Sequence, residues 1–123
     1  MNDDSCVFCR IAKGDLPSKK VHEDDVMLAF HDIHPVAPVH FMVIPKLHIA
    51  SLAEVRPEHA RILGHIMSRI PELAKGQGLT DGWRTIINTG RVGRQDVYHI
   101  HIHVIGGSNP LGPMILHQVA ETR

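Results

Sequence analysis

The sequence has no excess of charge of either sign. Thirteen Lys and Arg residues offset thirteen Asp and Glu residues in a chain of 123 residues. Without a net positive charge there is no long-range field that would hold nucleic acid nonspecifically or press the protein onto an anionic membrane. We therefore expect no nucleic-acid partner and no membrane partner, and we expect any ligand to be recognised by a local group of residues.

Long apolar segments are also missing. No apolar run approaches the roughly 20 residues that span a bilayer, and no basic start precedes an apolar stretch. Cysteine is scarce, and its two copies, Cys6 and Cys9, lie too close in sequence for a disulfide between them to stabilise the fold. These absences predict a cytoplasmic protein, and the cysteine spacing is common in metal and redox sites.

Repeats, low-complexity tracts and linkers are absent as well. The hydrophobic share of 43% and the charged share of 21% are ordinary for a globular protein, which argues against a disordered chain, a collagen-like chain and a coiled coil. The length suits one compact domain. We expect a single domain over residues 1–123, with a core over about 6–114 and a C-terminal tail over 115–123.

Two helices are predicted. The first begins after a cap at residues 4–5, carries apolar residues at helical spacing and ends at Gly14. The second spans residues 57–75, where apolar residues recur with the helical period. Pro71 lies inside this pattern, so we expect a kink or an early end near Ile70.

About five strands complete an α+β pattern. They are predicted at residues 20–23, 26–32, 40–44, 83–88 and 97–105. The segment over residues 106–123 is rich in glycine and proline and then turns apolar over 114–116. Such a tail is seldom stable alone, so we expect it to pack on the body of the domain or on a second subunit.

Histidine is the abundant residue, with eleven copies. Segment 98–105 alternates polar and apolar residues, so in a strand His99, His101 and His103 share one face at intervals of about 7 Å. The simpler explanations are a surface strand with histidine on its wet face, or a tag-like metal binder. The segment is internal, is flanked by apolar strand residues and is followed at once by two glycines, which favours a functional site.

Imidazoles on one strand suit phosphoryl or nucleotidyl transfer. A neutral imidazole nitrogen is a competent nucleophile near pH 7, and phosphate does not repel it as it repels a carboxylate. A protonated neighbour stabilises the phosphate charge and gives a proton to a leaving amine. The pattern therefore predicts a group-transfer site.

The same residues resemble the signature of the histidine triad family, His-φ-His-φ-His-φ-φ, in which φ is apolar. Further blocks resemble the bacterial type of its Hint-like, nucleoside-phosphoramidase branch, in the same order and at the same spacing. These blocks lie at residues 15–17, 29–33, 37–41, 43–46 and 106–107. The resemblance implies an α+β fold with about five antiparallel strands and two helices per protomer, in which the sheets of two protomers join across a homodimer.

The resemblance also implies an enzyme. Members of this branch hydrolyse the phosphorus–nitrogen bond of AMP-type purine nucleoside phosphoramidates through a covalent nucleotidyl-histidine, and they need no cofactor for catalysis. By this resemblance His101 is the nucleophile, and His99 and His103 flank it as further catalytic residues. His40 is then the residue that hydrogen-bonds and orients His101.

A purine nucleotide of the AMP or GMP type is the implied ligand. Asp32 matches the carboxylate that binds the ribose, and one carboxylate can accept hydrogen bonds from both ribose hydroxyls. Asn88 matches the phosphate-contacting asparagine, and Gln95, Val97 and His103 match other positions near the phosphate. Apolar residues that suit a purine slot, and equally suit an ordinary core, are Val7, Phe8, Ile11, Phe30 and Ile33.

Two positions depart from the family pattern. Asp96 stands where animal members have a serine, and Arg94 stands where a glycine is found. These departures leave hydrolysis intact and bear on the leaving group. An acid at this place favours a cationic lysyl amine or repels an acidic one.

The cysteine pair matches half of a Cys₂His₂ zinc site. In some bacterial members with this pair, a histidine after the Ile-Pro-Lys block and the first histidine of the triad bind structural zinc. Here those positions are His48 and His99, so the resemblance implies the set Cys6, Cys9, His48 and His99. The alternative is that the two thiols are simply buried on a short helix.

Other functions compete with the phosphoramidase. A dinucleoside polyphosphate hydrolase is the alternative within the enzyme class. A nucleotide-binding interaction module with vestigial catalysis and a metal-handling protein that uses the histidine strand are the alternatives outside it. The presence of His40, Asn88, His101 and His103 counts against a pure binder, because binding needs no nucleophile.

Overall fold

A computed structural model describes residues 5–115 of the chain. The fold is built on a five-stranded antiparallel sheet with the strand order β1-β2-β3-β5-β4, and one helix packs on each face of the sheet. The elements in chain order are α1 (Val7–Lys13), β1 (Lys20–Glu23), β2 (Met27–His31), β3 (Val39–Pro45), α2 (Ala60–Gly76), β4 (Arg84–Ile86) and β5 (Ile102–Gly106). The predicted α+β fold with five antiparallel strands and two helices is confirmed.

Helix α1 is capped by a cysteine rather than by residues 4–5. The Cys6 side chain accepts a hydrogen bond from the Cys9 backbone N–H at 3.3 Å, which serves one of the unpaired donors of the first turn. Residue 4 lies outside the described residues. Gly14 ends the helix as predicted, with a left-handed φ of 86° that glycine adopts without strain.

Helix α2 continues through Pro71 to Gly76, so the early end expected near Ile70 is wrong. A proline in a helix removes the hydrogen bond to the carbonyl four residues earlier, which here belongs to Met67. Both Pro71 and Met67 lie on the exposed side of the helix, where water can hydrate that carbonyl. The helix is preceded by a short 3-10 turn, Pro57–His59, where the sequence had predicted the first helical turn.

The core has two sides because alternate strand residues point to opposite faces of the sheet. One face packs against α2 through residues such as Ala29, Val43 and Ile66. The opposite face carries Phe30 and Met42 and packs against α1. The strand histidines His40 and His103 lie on this second face, together with Met42.

Strand β5 begins at Ile102, so the predicted strand over residues 97–105 is too long at its start. The neighbouring strand β3 ends at Pro45, whose carbonyl accepts a hydrogen bond from the His99 side chain at 2.7 Å. The Ile100 N–H donates instead to the carbonyl of Ile49, at 2.7 Å, beyond the end of β3. His99 and His101 therefore precede the strand, and only His103 of the three lies within it.

The edge strand β4 is also shorter than predicted. Strand β4 covers Arg84–Ile86 instead of residues 83–88. The Arg84 side chain donates to the Gly112 carbonyl at 2.8 Å, which holds the start of the tail against the body of the domain. The rest of the tail, residues 116–123, lies outside the described residues.

Within residues 5–115, neither helix has the length and apolar character needed to cross a membrane.

Candidate active site

His101 is held in one orientation by the backbone of its own segment. Its ring is buried, at 3% exposure, and its Nδ1 lies 2.8 Å from the carbonyl oxygen of His99. A carbonyl only accepts hydrogen bonds, so Nδ1 carries the proton and donates it. In the neutral imidazole the lone pair then belongs to Nε2. The side chain therefore presents Nε2 as a nucleophile.

The exposed carboxylate of Asp96 lies in front of that nitrogen. Its Oδ1 is 3.3 Å from His101 Nε2, and the same oxygen accepts the Val97 N–H at 2.9 Å. The Asp96 side chain is 80% exposed. A carboxylate at this distance can exchange a proton with Nε2.

His40 and His103 form a second hydrogen-bonded unit on the α1 face of the sheet. The Val36 N–H donates to His40 Nδ1 at 3.2 Å, so the His40 proton is on Nε2. That Nε2 lies 2.9 Å from His103 Nδ1 and 3.3 Å from Asp32 Oδ2. Donation to His103 Nδ1 leaves the His103 proton on Nε2, where it can contact a phosphate oxygen.

Burial keeps both members of this unit neutral near pH 7. It lowers the pKa of His40 below 6.5, although the negative charge of Asp32 acts in the opposite direction. It also lowers the pKa of His103, and the neighbouring His101 and His40 lower it further. Each ring therefore has one donor and one acceptor nitrogen, as the chain of hydrogen bonds requires.

The expectation that His40 orients His101 is wrong. His40 hydrogen-bonds His103, because both lie on neighbouring strands with their side chains on the same face as Met42. His101 is oriented by the His99 carbonyl and is packed edge-on against the Phe8 ring, with centroids 5.1 Å apart. The rings of His101 and His103 are also 5.1 Å apart, so the two units meet.

A cleft of about 1030 Å³ opens beside these histidines. Its lining includes His40, Asp32 and all five residues predicted as a purine slot, together with the polar residues Ser18 and Lys19. The apolar residues of this lining that the sequence predicted are Val7, Phe8, Ile11, Phe30 and Ile33. One carboxylate beside an apolar slot and a histidine unit is an arrangement that suits a nucleotide.

Four cysteine and histidine side chains converge near Nδ1 of His99. The Sγ atoms of Cys6 and Cys9 each lie 3.4 Å from His99 Nδ1. His48 Nδ1 lies 3.3 Å from Cys9 Sγ and 3.3 Å from His99 Nδ1. Ligand atoms of a tetrahedral zinc ion lie about 3.3 to 3.8 Å apart, so the spacing fits this metal. We call these four residues the Cys/His cluster.

The hydrogen bonding of His99 also fits a metal ligand. Its Nε2 donates to the Pro45 carbonyl at 2.7 Å, which leaves the lone pair on Nδ1, inside the cluster. A backbone carbonyl on the second ring nitrogen is the usual support of a metal-binding histidine. Burial, partly opposed by this hydrogen bond, lowers the pKa of His99 to about 4, so the ring is neutral at pH 7.

Comparison with known proteins decides the family. A family described as "Scavenger mRNA decapping enzyme C-term binding" matches residues 5–114. The protein HitA of Neisseria gonorrhoeae is 52% identical over 103 residues, which cover 84% of this chain and 96% of the relative. A crystal structure of a HIT family hydrolase from Legionella pneumophila superposes with a TM-score of 0.84 at 43% identity, covering 88% of this chain and 97% of the other.

The chain belongs to the histidine triad family. The purine nucleoside phosphoramidase of Escherichia coli K12 is also similar to it, with 42% identity over 113 residues that cover 91% of this chain and 94% of the relative. The protein is a histidine triad hydrolase.

Two similar proteins are described as binding zinc. The 14 kDa zinc-binding protein of Zea mays is 43% identical over 109 residues, covering 87% of this chain and 85% of the relative. A Zn-bound histidine triad family protein from Mycobacterium smegmatis superposes with a TM-score of 0.73 at 40% identity, covering 85% of this chain and 76% of the other.

Three residues predicted to contact the nucleotide lie between β4 and His99. Asn88 is half-buried, two residues beyond the Ile86–His103 strand pair. The Gln95 side chain holds its own loop, because Oε1 accepts from Gly90 N–H and Nε2 donates to the carbonyls of Ala50 and Val97, all at 2.8 to 2.9 Å. Val97 packs on the apolar cluster of α1. Their contacts with phosphate stay predictions.

The conformation of this loop shows why glycine suits position 94, where this chain has Arg94. Arg94 has a φ of 60°, in the left-handed region where glycine is favoured. Gly93 beside it allows no side chain, since a Cβ atom would lie 2.5 Å from the Thr89 carbonyl oxygen. This tight turn places the Asp96 carboxylate next to Nε2 of His101.

Backbone groups are the site components that the sequence did not predict. The His99 and Pro45 carbonyls and the Val36 N–H fix the protons on three histidine rings. The histidine spacing indicated which residues would gather, but no side-chain pattern encodes these backbone partners.

Proposed function

We propose that this hydrolase cleaves the phosphorus–nitrogen bond of AMP-type purine nucleoside phosphoramidates. The observation that carries the proposal is the hydrogen bond from His101 Nδ1 to the His99 carbonyl, which leaves Nε2 as the nucleophilic atom. The apolar cleft with Asp32 at its edge supports a purine ribonucleotide as the group transferred. The similarity to a purine nucleoside phosphoramidase supports the choice of bond.

The first step forms a nucleotidyl-histidine. The Asp96 carboxylate lies 3.3 Å from His101 Nε2 and is exposed to solvent, so it can transfer a proton between solvent and the reacting atoms. The Nε2 lone pair forms a bond to phosphorus as the phosphorus–nitrogen bond breaks. The leaving amine takes the electron pair of that bond and a proton that solvent supplies through Asp96. His103 Nε2–H donates to a phosphate oxygen throughout.

Water completes the cycle. A water oxygen bonds to phosphorus, the bond between phosphorus and Nε2 breaks, and the electron pair returns to Nε2. The water proton passes through the Asp96 carboxylate to solvent, which returns the proton taken up in the first step. The net reaction converts the phosphoramidate and water into the nucleoside monophosphate and an amine.

A comparison of substrates tests the choice of bond. The purified enzyme is assayed on an AMP–lysine phosphoramidate and on a diadenosine polyphosphate under the same conditions. We expect kcat/KM to be higher on the phosphoramidate by at least about a hundredfold. A higher value on the dinucleotide would make the protein a dinucleoside polyphosphate hydrolase instead.

We further propose that the Cys/His cluster binds one structural zinc ion. Two soft thiolates and two neutral imidazoles are the donor set that zinc prefers, and the second nitrogen of His99 is already supported by Pro45. The metal analysis uses protein purified without chelator and without added metal. We expect close to one equivalent of zinc, and less than about a tenth of an equivalent would contradict the proposal.

We also propose a homodimer in which the sheets of two protomers join. Strand β4 is at the edge of the sheet, so its outer side has backbone groups available for a second chain. Light scattering coupled to size exclusion tests this arrangement. A monomeric mass at micromolar concentration would contradict it.

A further inference from the structure

We propose that the Cys/His cluster positions the catalytic nucleophile, so that it serves the reaction as well as the stability of the fold. The connection is His99, whose ring belongs to the cluster and whose backbone carbonyl receives the His101 Nδ1 proton. This inference rests on the proposed roles of His101 and of the cluster.

The His99 ring is fixed at both of its nitrogen atoms. Nε2 is bound to the Pro45 carbonyl at 2.7 Å, and Nδ1 lies 3.3 to 3.4 Å from three donor atoms of the cluster. The residue is fully buried, at 0% exposure. Rotation of this ring would break several contacts together, so the ring constrains the backbone that carries it.

The segment that carries the nucleophile needs this constraint because it lies outside the sheet. Strand β5 begins only at Ile102. Before it, the Ile100 N–H donates to the carbonyl of Ile49, the residue that follows the cluster member His48. The backbone at His99 and Ile100 is thus held from two sides by the cluster and its neighbour.

The direction of the His99 carbonyl decides which nitrogen of His101 can react. While the carbonyl accepts from Nδ1, the lone pair is on Nε2, which faces Asp96. If the carbonyl turns away, the proton can occupy either nitrogen. An Nε2 that carries the proton cannot attack phosphorus, so the rate of the chemical step would fall while the cleft stays intact.

The replacement Cys6→Ser tests the inference with the least damage to the fold. A serine hydroxyl is a good helix cap, so α1 keeps the hydrogen bond to the Cys9 N–H that Cys6 now provides. The same change removes a thiolate from the cluster. The matched control is His65→Gln, which replaces a histidine on α2 that contacts Asp24.

The main measurement needs no substrate. The ¹⁵N chemical shifts of the His101 ring report which nitrogen carries the proton. In the wild type we expect protonation on Nδ1, and in Cys6→Ser a mixture of the two forms. The control His65→Gln should keep the wild-type shifts. An unchanged His101 tautomer in a Cys6→Ser protein that has lost its metal would overturn the inference.

Kinetics and ligand binding give the second measurement. For Cys6→Ser we expect kcat to fall at least about tenfold, with KM and AMP affinity within about twofold of the wild type. A parallel loss of AMP affinity would overturn the inference, because it would mean general damage to the fold. Absence of phosphoramidase activity in the wild type would refute the proposed function alone, since the tautomer measurement is independent of turnover.

Discussion

His40 and His103 lie on neighbouring strands and share a hydrogen bond of 2.9 Å between Nε2 and Nδ1. The Val36 N–H on the other nitrogen of His40 fixes the direction of this bond. As a result His103 holds its proton on Nε2. The unit ends in a donor that suits a phosphate oxygen, next to the ring of His101.

Removal of His40 should therefore affect the chemical step. We expect His40→Ala to lower kcat about a hundredfold, because His103 loses the partner that sets its tautomer. Steady-state kinetics on an AMP phosphoramidate measure this effect. The exposed His34 gives a control, and His34→Ala should retain wild-type kcat. Wild-type kcat in His40→Ala would contradict the role.

The depressed pKa values of His40 and His103 predict how stability depends on pH. Both rings resist protonation when folded, whereas the unfolded chain binds protons with a pKa near 6.5. The unfolded state then binds more protons below that pH, so the free energy of unfolding should be highest above pH 6.5 and fall as the pH drops below it.

Urea unfolding of the wild type and of His40→Gln between pH 7.5 and about pH 5 measures this contribution. We expect the loss of stability towards acid pH to be smaller in the variant. A variant that loses as much stability as the wild type, or more, would show that His40 is not held neutral by burial.

Asp24 should contribute to stability through two histidines. Its Oδ2 lies 2.8 Å from Nε2 of both His22 and His65, and its Oδ1 accepts the N–H groups of Val26 and Met27. Burial raises its pKa, but these hydrogen bonds outweigh burial and keep the pKa well below the usual value. The carboxylate therefore joins β1 to α2.

We expect Asp24→Ala to lower the free energy of unfolding by about 2 kcal/mol, since it leaves several polar groups without a partner. Chemical denaturation measures the change. The neighbouring Asp25 is exposed, and Asp25→Ala should change stability by less than about 0.5 kcal/mol. Equal effects of the two replacements would contradict this role of Asp24.

Asp96 should matter most for leaving groups that need a proton. We expect Asp96→Asn to lower kcat/KM about a hundredfold on a phosphoramidate of a strongly basic alkylamine. The loss should be much smaller on a weakly basic arylamine, which departs more easily without a full proton. Asp96→Glu serves as the control that retains the acid. Equal losses on both substrates would show that Asp96 does not supply the proton.

The sequence predicted the fold well where local pattern determines structure. Apolar runs bounded by turn residues predicted the five strands, and Gly14 predicted the end of α1. The residues that gather in the site were also identifiable, because motif spacing places His101, Cys6 and Cys9.

Contacts between distant parts of the chain could not be predicted from the sequence pattern. Segment 97–101 alternates like a strand but leaves the sheet, because the carbonyls of Pro45 and Ile49 offer it other partners. His65 had no predictable role, since its partner Asp24 lies 41 residues away in the sequence. The partner of His40 was mistaken for the same reason.

Intact mass spectrometry of His103→Ala tests the central claim most directly. The variant is mixed with an AMP phosphoramidate and quenched at alkaline pH, where a phosphorus–imidazole bond survives. We predict a species heavier by one AMP residue, with the added mass on His101. His101→Ala should give no such species and lose about three orders of magnitude of turnover. Absence of the adduct together with wild-type turnover in His101→Ala would contradict the account.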